Sequence, residues 1–107
     1  MILANDWVTG RINIAVDDDL TYAIDLGERE WDSVLVKIPT LTSSNLTVYV
    51  SKTFDGTYSA LGNSATVVAG TGNYMDEWEL CGHRYLKIGT SASQAADRVF
   101  ELRGKRS

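Results

Sequence analysis

The residues best equipped for chemistry are Cys81 and His83, the single cysteine and the single histidine of the chain. A nucleophile needs a general base within hydrogen-bond reach and a third group that orients the base. Two positions apart on a strand, these side chains would share one face, about 7 Å apart along the chain. No Asn or Asp nearby is dedicated to the imidazole, and Gly82 between them favours a bend. The pair therefore reads as a small buried thiol and a histidine at the start of a strand, and no catalytic residue is assigned.

Two acidic groups invite other chemistry. Asp17-Asp18-Asp19 offers carboxylate oxygens to a hard cation, but it lacks the alternating spacing and glycine of a calcium loop. Consecutive aspartates on a turn point in different directions, so the run reads as a solvated turn. Asp76, Glu77 and Glu79 surround Trp78, with Glu77 and Glu79 on one strand face. Their repulsion requires relief by solvent or by a basic partner, such as a Lys or Arg of a neighbouring subunit. Gly70-x-Gly72 is followed by neither a helical pattern nor a lysine, so it is no phosphate loop. Asn45-Leu46-Thr47 fits a glycosylation sequon, but nothing points to secretion. No metal or other cofactor is expected.

Basic residues concentrate near one end, at Arg98, Arg103, Lys105 and Arg106. They read either as a solvated strand end and tail or as an arm that docks on an acidic protein surface. The chain as a whole carries a net charge of −4, from 14 acidic and 10 basic residues. That balance opposes sequence-independent nucleic-acid binding, which needs clustered cations facing phosphates. No stretch approaches the roughly 20 apolar residues of a membrane span. The first residues lack the basic start and long apolar run of a signal peptide, so synthesis in the cytoplasm is expected.

The elements that would position these residues are strands. The chain has 107 residues, of which 44% are hydrophobic, with three Trp and five Tyr. That is enough for one domain with its own core and no disulfide. Period-2 alternation, the mark of half-buried strands, puts Ile12, Ile14 and Val16 on one face of residues 11–16. It does the same for Tyr22, Ile24 and Leu26 in residues 21–26, and for Val34, Val36 and Ile38 in residues 33–38. Pro39, with no amide hydrogen, ends that ladder, and residues 40–44 form a loop. Leu46, Val48 and Val50 then oppose Thr47, Tyr49 and Ser51. Asp55-Gly56 is a tight-turn signal leading to a short strand through Tyr58 and Leu61. Residues 65–69 and 74–80 are strands separated by a flexible turn at residues 70–73.

Near the end, Leu86 and Ile88 oppose Tyr85 and Lys87, and Phe100 and Leu102 oppose Val99 and Glu101. The small polar residues 89–97 between these runs form a connecting loop. The expected fold is all-β: a two-sheet antiparallel β-sandwich, jelly-roll-like, of about eight or nine short strands. It forms a single domain over residues 1–107, with a flexible N-terminal arm at about 1–9 and a basic tail at 104–107. Trp31 and Trp78 belong to the core or its rim. Trp7, with no strand partner of its own, packs on the domain or on a neighbouring subunit.

Taken in order, these motifs resemble a family. The strand Ser-Val-x-Val-x-Ile-Pro runs from Ser33 to Pro39. A strand ending in Val50-Ser51 leads to the turn Phe54-Asp55-Gly56-Thr57-Tyr58. The strand Arg84-Tyr85-Leu86-Lys87-Ile88 precedes the loop Gly89-Thr90-Ser91-Ala92-Ser93-Gln94-Ala95-Ala96-Asp97-Arg98. Over residues 31–103 the chain resembles the small structural proteins of tailed bacteriophages. That resemblance implies a virion component without catalytic residues, a capsid decoration or cement protein on the capsid surface. Its partners would be the major capsid protein and copies of itself, as a homo-oligomer and by resemblance a trimer. The surfaces expected to attach are Trp7 with the N-terminal arm, the basic end at Arg98, Arg103, Lys105 and Arg106, and loops at one end of the sandwich.

Two alternatives follow from the same residues. Arg84 to Ile88 also looks like the late strand of galactose-binding-like jelly rolls, so a carbohydrate-binding or host-adhesion module contacting host-surface glycans is the second reading. A tail-associated structural protein is a variant of the first. An enzyme ranks last.

Overall fold

The computed structural model describes residues 7–15, 19–27, 31–62, 66–80 and 82–105. Within them lie seven strands and no helix: β1 (Val8–Ile12), β2 (Ile24–Asp25), β3 (Ser33–Ser51), β4 (Ser59–Ala60), β5 (Thr66–Glu79), β6 (Tyr85–Thr90) and β7 (Arg98–Lys105). All pairings are antiparallel. They form one sheet in the order β1-β7-β3-β6-β2, with β4 and β5 also pairing to β3.

Alternation decides what faces the core. Val34, Val36, Ile38, Leu46, Leu86, Ile88, Phe100 and Leu102 are all fully buried, as their strand positions require. Trp31 and Trp78 are buried with them. At about 25 cal/mol per Å² of apolar surface removed from water, each such side chain contributes roughly 1.5–3 kcal/mol.

The long strand β3 organises the molecule. Its first half pairs with β7, from Ser33 opposite Lys105 to Lys37 opposite Glu101. Its second half pairs with β6, from Leu46 opposite Thr90 to Ser51 opposite Tyr85. Along its other edge β5 follows both halves. The hairpin thus bends once, and its two halves carry different wings that curl toward each other. At the far ends of the wings, β1 meets β2: a Cβ on Gly10 would overlap Ile24 Cδ1. The result is an antiparallel sheet that is nearly a barrel.

The bend corrects several expectations. Residues 40–44 and 70–73 are not loops but the middles of β3 and β5. Among the described residues the strand count is therefore seven, where eight or nine were expected. Pro39 does not end β3, because the ladder resumes with Thr40 opposite Gly72. Register shifts flank Ser44, with Leu41, Thr42 and Ser43 opposing Thr71 alone. Buried positions consequently step from Ile38 to Leu41 to Ser44 before alternation returns at Leu46. Such bulges bend and twist a strand sharply. On β5 the turn of direction is taken by positive φ at Gly70, Gly72 and Asn73, conformations open chiefly to glycine and asparagine.

A second bulge explains Tyr22. Thr21 donates its amide to Ile88 O, whereas Ile24 lies opposite Leu86. Tyr22 and Ala23 together face Lys87, so the inward phase slips by one. Thr21, not Tyr22, is buried, and Tyr22 stands 64% exposed. The first strand is also displaced from expectation: it covers 8–12, not 11–16, leaving Ile14 exposed in a turn. Val8 and Thr9, expected in a mobile arm, pair with Leu102 and Glu101. Gly104 and Lys105, expected in a tail, pair with Val34 and Ser33.

Candidate functional site

The wing built on β6 presents a polar aromatic face to solvent. Core packing of Leu86 and Ile88 turns Tyr85 and Lys87 outward, and the same logic turns out Thr47 and Tyr49. Register places Tyr49 opposite Lys87 and Ser51 opposite Tyr85. The connection after β3 folds back over this face. Thr53 N donates to Ser51 Oγ (3.2 Å), Gly56 N donates to Thr53 O (3.2 Å), and the Tyr58 hydroxyl donates to Phe54 O (2.8 Å). Phe54 meets Tyr85 edge-on at 6.0 Å between centroids, and Lys87 Nζ lies 4.6 Å from the Tyr58 ring centre.

Between these groups runs an open trough of about 530 Å³, lined by Asp19, Thr47, Tyr49, Tyr58, Lys87 and Ser91 among others. A second recess of about 420 Å³ is bordered by Trp7, Asp25 and Phe54.

One ion pair fixes the frame. Arg84, just before β6, grips Asp25 of β2 through two parallel bonds, Nε to Oδ1 at 2.6 Å and Nη2 to Oδ2 at 2.8 Å. The same guanidinium lies 4.9 Å from the centre of the Tyr85 ring. The hydrogen bond from Arg84 lowers the Asp25 pKa below the ordinary carboxylate value, assisted by the Gly27 amide and against the cost of burial. Burial, with the charge of Asp55, raises that of Tyr58.

A lowered folded-state pKa stabilises the fold above the unfolded value of about 3.9, and the gain is lost as pH falls through the folded value. Asp25→Asn should therefore cost about 1–2 kcal/mol near neutral pH. The difference from wild type should close as the pH falls through the lowered folded-state value of Asp25. Thermal melts across that range provide the check; a difference independent of pH would mean that the ion pair contributes nothing.

The residues singled out from sequence do not converge. Trp7 is 45% exposed at the recess rim. Arg98 turns toward the loop before β7, donating from Nε to Gln94 Oε1 and from Nη2 to Thr42 Oγ1, both at 3.1 Å. Lys105 lies at the other end of β7, about 23 Å away at 3.3 Å per residue. Its Nζ stands 3.3 Å from Glu77 Oε2. Arg103 is half-buried on the same strand, opposite Leu35. Arg106 lies outside the described residues.

The acidic group finds relief within its own chain. Glu77 accepts from Ser33 Oγ (2.9 Å) and pairs with Lys105, and these bonds lower its pKa. Asp76 accepts from Trp78 Nε1 at 3.0 Å. Asp17, Asp18 and Cys81 lie outside the described residues. His83 is half-buried, its amide bonded to Leu80 O at 3.1 Å. Among the described residues no cluster of three or more His, Cys, Asp or Glu could hold a metal ion. Tyr49, Tyr58 and Lys87 were not anticipated as one site; their outward phases were readable, but their adjacency depends on strand register.

No protein-family model matches this sequence, and no curated protein does either. Two solved structures share the fold across nearly the whole chain. One is the SPBc2 prophage-derived protein YomS, with a TM-score of 0.57 and 15% identity over 96% of both chains. The other is the family 32 carbohydrate-binding module of C. perfringens NanJ in complex with galactose. It gives a TM-score of 0.51 and 10% identity over 90% of this chain and 93% of that one. At these identities the likeness is one of fold: an all-β architecture found in a prophage-derived protein and in a carbohydrate-binding module.

Proposed function

We propose that this chain is a non-enzymatic structural protein of a bacteriophage particle, a decoration or cement protein. In this reading it is a jelly-roll-like sandwich whose two layers share β3 and β5. It binds the major capsid protein lattice at the capsid surface and does so as a homo-oligomer, a trimer. The order of its motifs and its fold likeness to a prophage-derived protein support the reading.

The observation that carries it is the free edge of β5. Among the described residues β5 pairs only with β3, so one side of this strand (14 residues) is open. Val68 (80% exposed), Met75 (56%) and Tyr74 stand out along it. An open strand with exposed apolar side chains is a template for pairing with another chain. In this reading β5 is the main contact and the basic end a secondary one, because Arg98 and Lys105 also hold partners within the chain.

Purified protein mixed with capsids of its phage should co-sediment. The double variant Val68→Lys, Met75→Lys should melt within about 0.5 kcal/mol of wild type, as exposed substitutions do. Its occupancy on the lattice should fall at least about tenfold, the loss of roughly 1.4 kcal/mol of contact. Failure of the wild-type protein to sediment with capsids, together with its absence from purified virions, would sink the proposal.

A further inference from the structure

The trough beside β6 has features that attachment through β5 does not use. Its floor carries Tyr49, whose ring lies against Gly89 so closely that a Cβ there would stand 2.9 Å from Tyr49 Cε2. One wall carries Tyr58, held at its hydroxyl by Phe54 O and at its ring by the Lys87 ammonium. Both rings are thus fixed before any ligand arrives, which lowers the ordering cost of binding.

The polar groups around them keep hydrogen-bonding capacity in reserve. The Tyr49 hydroxyl, the Thr47 hydroxyl and the Lys87 ammonium have no hydrogen-bond partner or counter-ion among the described residues. On the rim, Thr90 Oγ1 is buried without a partner. The volume of about 530 Å³ lies within the range of roughly 300–1,000 Å³ typical of small-molecule sites.

Rigid aromatic rings beside unpaired hydroxyls and one ammonium suit a ligand with an apolar C–H face and a rim of hydroxyls. That is the chemistry of a pyranose. A nucleic acid would require several cations along its backbone, and only Lys87 is present, with Asp19 nearby. We propose that this trough is a saccharide-binding site in which Tyr49 and Tyr58 form the stacking surface. Thr47 and Lys87 bond ring hydroxyls, and Lys87 adds a preference for an acidic sugar.

The test is a chemical-shift titration of the labelled protein with galactose, N-acetylglucosamine and glucuronate separately. Each is taken to about 20 mM, which would nearly saturate a site with a Kd of about 1 mM. Shifts should concentrate at the amides of Thr47, Tyr49, Lys87 and Thr90. Tyr49→Ala and Tyr58→Ala should each weaken binding at least tenfold. Lys87→Met, altering an outward side chain, should weaken glucuronate more than galactose. The Val68→Lys, Met75→Lys variant should bind sugar as wild type does, which separates this site from the attachment edge. No shift with any of the three sugars, or binding unchanged in both tyrosine variants, overturns the proposal.

Discussion

Gly104→Ala is expected to cost about 2–3 kcal/mol, a larger loss than any surface substitution would cause. For a domain of this size that lowers the melting temperature by roughly 10–20 °C. The reason is the indole of Trp31, which lies flat on the Gly104 backbone. A Cβ at that position would overlap Cδ2 of the ring and stand 2.7 Å from Cε3. Trp31 cannot retreat easily. It is 2% exposed, its carbonyl accepts the Gly82 amide at 2.9 Å, and the next residue bonds both ways, Asp32 N to Lys105 O and Leu80 N to Asp32 O. The ring thereby ties the starts of β3 and the ends of β5 and β7 into one corner.

The converse change, Trp31→Ala, opens a large cavity and should cost about 3–5 kcal/mol. A double-mutant cycle separates overlap from general damage. With Trp31→Leu already in place, Gly104→Ala should cost less than about 1 kcal/mol, because the clashing ring is gone. If the two losses add in full, the overlap is not the cause.

That corner shows where sequence reading stops. Trp31 was assignable to the core or its rim from size alone, and Phe100 and Leu102 from alternation. Gly104 looked like the start of a tail, since a glycine followed by charged residues carries no inward signal of its own. Its role exists only because a ring from elsewhere in the chain occupies the space that a side chain would fill. Residues 40–44 and 70–73 failed for a related reason. Thr, Ser and Gly are loop residues by local preference, yet here each segment is paired by the other across a bend. Period-2 logic also cannot see a bulge. It placed Tyr22 inward, and one extra residue turned it out. The trough shows the same limit at the level of function. Tyr49 and Lys87 were each readable as outward, but their neighbourhood is a property of the β3–β6 register.

The loop before β7 supplies the second large effect. Gln94 belongs to a run of small polar residues and carries no obvious signal, yet it is 6% exposed. Its amide treats Thr42 as a strand would: Oε1 accepts from Thr42 N at 2.8 Å, and Nε2 donates to Thr42 O at 3.1 Å. Nε2 also donates to Ala92 O at 2.9 Å, and Arg98 Nε completes the group on Oε1. Thr42 sits in the bulge of β3, where β5 supplies no register partner. Backbone groups left out of the ladder need other partners, and at Thr42 one side chain provides both. Ser44 reinforces the seam by accepting the amides of Ser91 and Ala92 at 3.0 and 3.3 Å.

Gln94→Ala should then cost about 2–3 kcal/mol, since it removes the partner of two donors, Thr42 N and Arg98 Nε, and of two acceptors, Thr42 O and Ala92 O. Gln94→Glu keeps the acceptor for Thr42 N and Arg98 but loses the donor, and it should fall between wild type and alanine. Amide exchange gives the decisive readout. In Gln94→Ala the Thr42 amide should exchange at least about tenfold faster relative to amides in the middle of β6, the signature of local opening at the bend. If Thr42 keeps its protection while the whole domain loses stability evenly, Gln94 fills space and does not clamp the bulge.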